Sequence, residues 1–324
     1  MNKEDIDHLM KFASVLMSTA IEIINMQFED KINLDIDQPE SKDVNNVTRE
    51  LDQFIHQLYH AHFGISYPDD IVLMGEEEAK LKKNIKIIAK DKLIASIDAV
   101  DGTDLVVKGM YNWCSAMFFF KPDESIVGSL VGVPSNKIGL TAVGTSKGVP
   151  SGIVYHATDT GAYKSGKKIA IPQLNRKRTL EQASICFYGQ KAGNLLSIFE
   201  SKAFIDKMKS FMAKSQAPVN ARSKGKYSVP FRIYNLGGNP MMVRLTEGTI
   251  DAVIELRGQK LYDVVPGAYI AQKAGAYWGD MKGNVIDSDY FKRNGLLLNT
   301  ESKLTYILAA SESLYREILE LFRK

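Results

Sequence analysis

LIASIDAVDGTD, residues 93–104, is the stretch from which the rest of the chain is read. A mostly apolar run leads into Asp98, two residues separate it from Asp101, and Gly102 and Thr103 follow. The composition predicts a buried strand that ends in acids and then turns. Carboxylates three apart converge on one point if the chain bends there, and Gly102 permits the bend. Held side by side in a partly closed cleft, they repel unless a cation neutralises them or one takes a proton. Oxygen donors of this kind suit Mg²⁺, which accepts one or two carboxylates together with water or phosphate oxygens. Amides around Gly102 and Thr103, at a turn entering a helix, suit phosphate oxygens. Taken alone, the string also reads as an Asx-turn with glycine at positive φ.

Two further acidic stretches lie on either side. MGEEEAK places Glu76, Glu77 and Glu78 directly after the apolar run 71–74, and LYDVVPGAYIAQKAGA places Asp263 at the head of a helical pattern. The plain alternatives are solvated glutamates for the first and a helix N-cap for the second. Further out, apolar residues at helical spacing predict helices over 4–28 and 48–62. Short apolar runs at 71–74, 92–97, 113–120, 126–133 and 137–143 predict strands, several close enough to form antiparallel hairpins. Beyond about residue 180, strands and helices alternate. Helix is expected over 193–213, 264–274 and 311–323, and strand over 249–256, 276–278 and 304–310. The fold class is α/β, with N-terminal helices plus a largely antiparallel sheet followed by a smaller α/β unit. The expected division is 1–170, an α+β metal- and phosphate-binding part, and 171–324, an α/β substrate-binding part.

The chain has 324 residues, of which 45% are apolar and 24% charged, ordinary globular usage. Its 41 basic and 38 acidic side chains leave a net charge of +3, too balanced to announce a nucleic-acid or membrane partner. Cys114 and Cys186 sit in apolar stretches and read as reduced core thiols. No uninterrupted apolar run approaches the ~18 residues of a membrane span. Glu4, Asp5 and Asp7 stand where a secretory leader would carry positive charge, so a soluble cytoplasmic chain is expected. The acid-free basic segment 207–226, with Lys207, Lys209, Lys214, Arg222, Lys224 and Lys226, reads as an attractor of a polyanionic substrate or as a solvated face. His56, His60 and His62 are expected at the surface, and Trp113 with Phe118–Phe120 in a sheet core.

In combination the pieces are more specific. GEE at 75–77, IDAVDGT at 97–103, and the late pattern Asp263-xxx-Gly267-xxx-Ala271-xxx-Gly275 resemble the inositol monophosphatase family. The resemblance extends to Val47–Thr48, to GDMKGN at 279–284 and to ILAASESLYREIL at 307–319. That family sits among the lithium-sensitive, Mg²⁺-dependent phosphomonoesterases, with fructose-1,6-bisphosphatases and 3′-phosphoadenosine phosphatases.

The resemblance implies an α-β-α-β-α sandwich, a homodimer and two, possibly three, Mg²⁺ ions held by Glu76, Asp98, the Val100 carbonyl, Asp101 and Asp263. It gives Glu76, Asp98 and Thr103 catalytic roles, Thr103 and Glu76 orienting or deprotonating a metal-bound water that attacks phosphorus in line. Gly102, Thr103, Asp101, Gly237, Gly238 and Asp263 would contact substrate or phosphate. One departure concerns the third ion: the family's V-T-x-x-D places Leu51 where an aspartate belongs, leaving Glu50, Asp52 and the more distant Asp43 as candidates. A second concerns Asn235-Leu236-Gly237-Gly238-Asn239-Pro240, which reads as a leaving-group contact or as a tight connection with Asn239 as N-cap and Pro240 at the first helical position. The implied substrate is a small phosphorylated metabolite, inositol monophosphate first, with fructose-1,6-bisphosphate or 3′-phosphoadenosine 5′-phosphate as alternatives. A non-catalytic metal- or ligand-binding relative is the reading from another class.

Overall fold

In a computed structural model, residues 1–32, 41–75, 89, 91–107, 110–135, 152–188, 192–215, 231–299 and 301–323 are described. Two helices lead, α1 (Lys3–Ile32) and α2 (Ser41–Ser66). Leu9, Ala13, Met17, Ala20, Ile21 and Ile24 form a buried stripe on α1 at the 3.6-residue period. On α2 the buried stripe is Ile55, Tyr59 and Phe63. By length and composition the stretch Lys3–Met26 would suffice to cross a membrane, yet half of its most apolar window is buried inside the fold. Its apolar face is already spent on the sheet below.

Among the described residues that sheet has seven strands in sequence order: β1 (Ile71–Gly75), β2 (Leu93–Asp101), β3 (Cys114–Phe120), β4 (Ile126–Pro134), β5 (Gly152–Thr158), β6 (Gly161–Lys164) and β7 (Lys167–Ile169). β1 and β2 run parallel, and the remaining neighbours are antiparallel. A short helix, α3 (Thr103–Val107), leaves the end of β2. The expected strand at 137–143 lies outside the described residues.

The second half continues with α4 (Gln173–Arg176), β8 (Ser184–Phe187), α5 (Ala192–Phe199), α6 (Lys202–Ser215), β9 (Arg232–Tyr234), α7 (Asn239–Leu245), β10 (Ala252–Lys260), α8 (Val265–Lys273), β11 (Tyr277–Asp280), α9 (Ser288–Asn294), β12 (Lys303–Ala309) and α10 (Glu312–Phe322). Its five-stranded sheet has the order β11-β12-β10-β8-β9, antiparallel across β11–β12–β10 and parallel across β10–β8–β9.

Side-chain alternation assigns the layers. Met117 and Phe119 on β3 face α1 and α2, whereas Phe118 and Phe120 turn the other way toward α7 and α8. Val253 on β10 joins that same central core, while Ile254 faces outward to Ile198, Phe204 and Leu314 on α5, α6 and α10. The order helix, sheet, helix, sheet, helix is the sandwich the resemblance implies. Trp113 and all three phenylalanines are at or below 1% exposure, so this aromatic run is core on two faces at once. Each such burial stabilises by roughly 1.5–3 kcal/mol. Both cysteines are free and buried.

A buried charge locks the joint between the two sheets. Asp251, at 0% exposure, precedes β10. Its carboxylate accepts from Arg178 Nη1 at 2.9 and 3.1 Å, Asn175 Nδ2 at 2.7 Å and the Ser184 amide at 2.8 Å.

Candidate active site

β2 carries the acids and breaks its own regularity to do so. In a regular strand, residues three apart face opposite sides, because side chains alternate with period two. Here Asp98 pairs with Ala116 and Asp101 with Cys114, so three steps on β2 match two on β3. This bulge turns both carboxylates to one side. It also takes the 99–100 backbone out of the ladder, and Asp52 on α2 accepts the Val100 N–H at 3.1 Å. Of the two acids flanking Leu51, Asp52 thus reaches the end of β2, whereas Glu50 is exposed. Leu51 packs against the α1–α2 core. The side chain of Asp43 lies outside the described residues, as do Glu76, Glu77 and Glu78.

Asp98, Asp101 and Asp263 bring carboxylate oxygens within 4.8 Å of one another. Asp98 is 7% exposed, and the other two are half-buried. Asp263 does not cap α8. It closes a 3₁₀ turn, Leu261–Asp263, and Val264 takes the cap position without a side-chain hydrogen bond. The turn leaves the carboxylate to the cluster, so the helix-cap alternative does not hold. Three hard oxygen donors at this spacing fit a divalent cation such as Mg²⁺.

Gly102 has φ +88, and a Cβ there would sit 3.3 Å from the Asn112 carbonyl oxygen and from Trp113. The turn it makes starts α3 with Thr103 half-buried at its head. A cleft of about 80 Å³ opens here, lined by Asp101, Gly102, Thr103, Leu105, Asn112, Tyr188, Gly237 and Pro240. The Gly237–Gly238 pair therefore does come to the acids. Gly237 lies so close to Tyr188 that a Cβ would be 2.5 Å from its ring, and Gly238, with φ +77, approaches Asp101 Oδ2. The helix begins one residue earlier than expected. Gly238 is the cap, Asn239 is the first helical residue, and its side chain turns inward to Asp101. Cys114 donates its S–H to the same Asp101 oxygen at 3.6 Å. Burial pushes this thiol well up, and the Asp101 and Asp98 carboxylates push the same way, so it stays protonated.

Several residues were not singled out from sequence. Asn112 and Tyr188 line the cleft, and Glu255, Gln259 and Tyr306 form a buried polar group nearby. Glu255 is 1% exposed. Its Oε1 accepts from the Arg257 and Gly258 amides at 2.6 and 3.0 Å, and Tyr306 donates to Gln259 Oε1 at 3.1 Å. Burial raises the Tyr306 hydroxyl, and the charges of Glu255 and Asp263 add to it. A glutamate inside the strand pattern TIDAVIEL was the available signal. Burial also raises the Glu255 carboxyl above its usual range, opposed by the two amide hydrogen bonds. An acid whose folded-state pKa is raised weakens the native state once ionised. Stability is therefore full while the acid is protonated and declines as pH climbs from the ordinary carboxylate range through the folded value. Glu255→Gln is expected to raise the unfolding midpoint of the metal-stripped protein at neutral pH by ~2–4 °C. The gap should close near pH ~4, where both states hold the proton. Equal midpoints at neutral pH would mean that the ionised carboxylate costs the fold nothing.

The histidines also depart from expectation. His56 and His60 are half-buried, with ring centroids 4.6 Å apart, and the His56 ring fills the space beside Gly75. Of these three, only His62 is exposed. Lys207 and Lys209 are exposed on α6, and 216–230 lies outside the described residues.

The profile of the inositol monophosphatase family matches residues 5–316. The chain belongs to this family. Solved inositol monophosphatases share its fold. One from Zymomonas mobilis aligns with a TM-score of 0.64 at 16% identity, covering 99% of this chain and 98% of that one. Inositol monophosphatase II from Staphylococcus aureus aligns with a TM-score of 0.61 at 15% identity, covering 98% and 96%. An inositol monophosphatase/NADP phosphatase complexed with NADP and Ca²⁺ aligns with a TM-score of 0.60 at 18% identity, covering 99% and 96%. No curated protein sequence matches the chain. Membership of the inositol monophosphatase family implies a phosphatase, and the family is generally metal-dependent and acts on small phosphorylated substrates.

Proposed function

We propose that the chain is a Mg²⁺-dependent phosphomonoesterase that hydrolyses the phosphate ester of a small polyol or sugar, such as inositol monophosphate. The observation that carries this reading is the convergence of Asp98, Asp101 and Asp263 within 4.8 Å beside the Gly102–Thr103 turn. Asp98, Asp101 and Asp263 would hold the metal, with Glu76 and the Val100 carbonyl added by the family pattern. Mg²⁺ bound there would supply Lewis-acid stabilisation of phosphoryl oxygens and lower the pKa of a bound water.

The protein's own groups do the rest. The Gly102 and Thr103 backbone receives the phosphate, and the Thr103 hydroxyl orients the attacking water with Glu76. The cleft of about 80 Å³ accommodates little beyond the phosphoryl group. The leaving group therefore extends past Tyr188 and Gly237 at the cleft wall. A nucleotide phosphate is the second reading, favoured by the Tyr188 aromatic ring at the cleft wall. A relative solved with 2′AMP bound and the one solved with NADP carry ligands of that type.

The test is phosphate release from inositol-1-phosphate, fructose-1,6-bisphosphate, 3′-phosphoadenosine 5′-phosphate, 2′-AMP and NADP, with and without Mg²⁺. Release from one preferred ester, lost in EDTA and restored by Mg²⁺, is expected. Turnover indifferent to EDTA would overturn the metal-dependent reading. Silence across the panel despite cation binding would favour a non-catalytic binding protein.

A further inference from the structure

Asn239 is fully buried at 0% exposure, and its amide is used at both ends. Nδ2 donates to Asp101 Oδ2 at 3.2 Å and to the Tyr262 carbonyl at 3.1 Å. Oδ1 accepts from the Gly267 amide at 2.8 Å. The partners fix which end is which, because Gly267 offers only a donor and the Tyr262 carbonyl only an acceptor. They also come from three places: the end of β2, the turn that carries Asp263, and the first turn of α8.

We infer that Asn239 is a positioning residue that fixes Asp101 relative to Asp263 and so sets the affinity of the acidic cluster for a divalent cation. The inference rests on the reading that these carboxylates hold such a cation. The chemistry suits the task. A lysine or arginine at this place would neutralise Asp101 and compete with the ion, and a carboxylate would repel it. A neutral amide donor holds the carboxylate in orientation while leaving its charge for the cation. One side chain bonds Asp101 directly and the residue before Asp263 through its carbonyl, so a shift of the end of β2 against the turn that carries Asp263 strains the same amide. Gly238, with φ +77, supplies the backbone bend that points Asn239 inward; a Cβ there would lie 3.4 Å from Asp101 Oδ2.

The experiment measures Mn²⁺ binding to the metal-stripped full-length chain by electron paramagnetic resonance of the free ion, without substrate, alongside metal-free thermal unfolding. Asn239→Ala is expected to weaken Mn²⁺ binding by about 10–100-fold, the range for loss of a group that orients a metal ligand. The control is Asn175→Ala, another buried asparagine, which bonds Asp251 and the Gly248 carbonyl instead. It should lower the unfolding midpoint and leave Mn²⁺ affinity unchanged. Affinity within about twofold of wild type in Asn239→Ala, or an equal loss in Asn175→Ala, would overturn the positioning role. If Asn239→Ala does not fold, Asn239→Ser takes its place with the same two outcomes, since one hydroxyl cannot serve all three partners. Wild-type protein that binds no Mn²⁺ would instead overturn the metal reading on which the inference rests.

Discussion

Asp98→Asn is expected to lower Mg²⁺-dependent phosphate release by on the order of 10²–10³-fold or more, as when one preorganised electrostatic group leaves an active site. Asp98 is the most buried of the three clustered acids, at 7% exposure, so its charge is the least screened by water. The amide that replaces it keeps the shape and removes one negative charge from the cation site. The loss should therefore appear in turnover and in Mn²⁺ affinity together, with the unfolding midpoint of the metal-free protein held or raised, because three crowded carboxylates repel one another. A steady-state assay across a Mg²⁺ titration separates the cases. Activity recovered fully at high Mg²⁺ would reduce Asp98 to a role in affinity alone, and undiminished activity at all concentrations would remove it from the site.

Asp251→Ala is the substitution expected to cost the fold most, about 3–5 kcal/mol, because it leaves the Arg178 guanidinium and the Asn175 amide facing a void. The carboxylate receives four hydrogen bonds from three residues and is wholly buried. Urea unfolding at neutral pH reads the loss directly. A change below about 1 kcal/mol would mean that the pair contributes no more than an exposed ion pair does. Asp251→Asn should cost less, since it keeps an acceptor oxygen and the volume.

The helix-sheet alternation and the acidic motifs were legible because they are local. The β2 strand, the stripes of α1 and α2, and the aromatic run 118–120 follow from periodicity alone. The three acids that the sequence reading grouped do meet in space. What escaped was set by partners distant in sequence. Asn239 looked like a helix cap because Asn before Pro usually is one, yet its bonds go to Asp101, Tyr262 and Gly267. Asp263 was grouped with the other acids, and the 3₁₀ turn removes the alternative that it serves as a helix cap. The half-buried His56 owes its setting to the approach of β1, where Gly75 lies beside it, and β1 pairs parallel with β2 in a way no hairpin pattern signals. Glu255 is polar within a strand, and only its tertiary surroundings show it lying near the acids.

The bulge in β2 carries a consequence for how the acidic motif tolerates change. Ala99 and Val100 are buried and apolar, so exchanges among similar small residues would pass almost unnoticed. Their number would not. Removing one of them would abolish the bulge: the acids would stand two apart in a regular ladder, still on one side, but the backbone N–H that leaves the ladder to reach Asp52 would be gone. The length of the link between the acids is thus as much a part of the motif as its letters. A comparison that scored letters alone would miss the loss that a single-codon deletion brings.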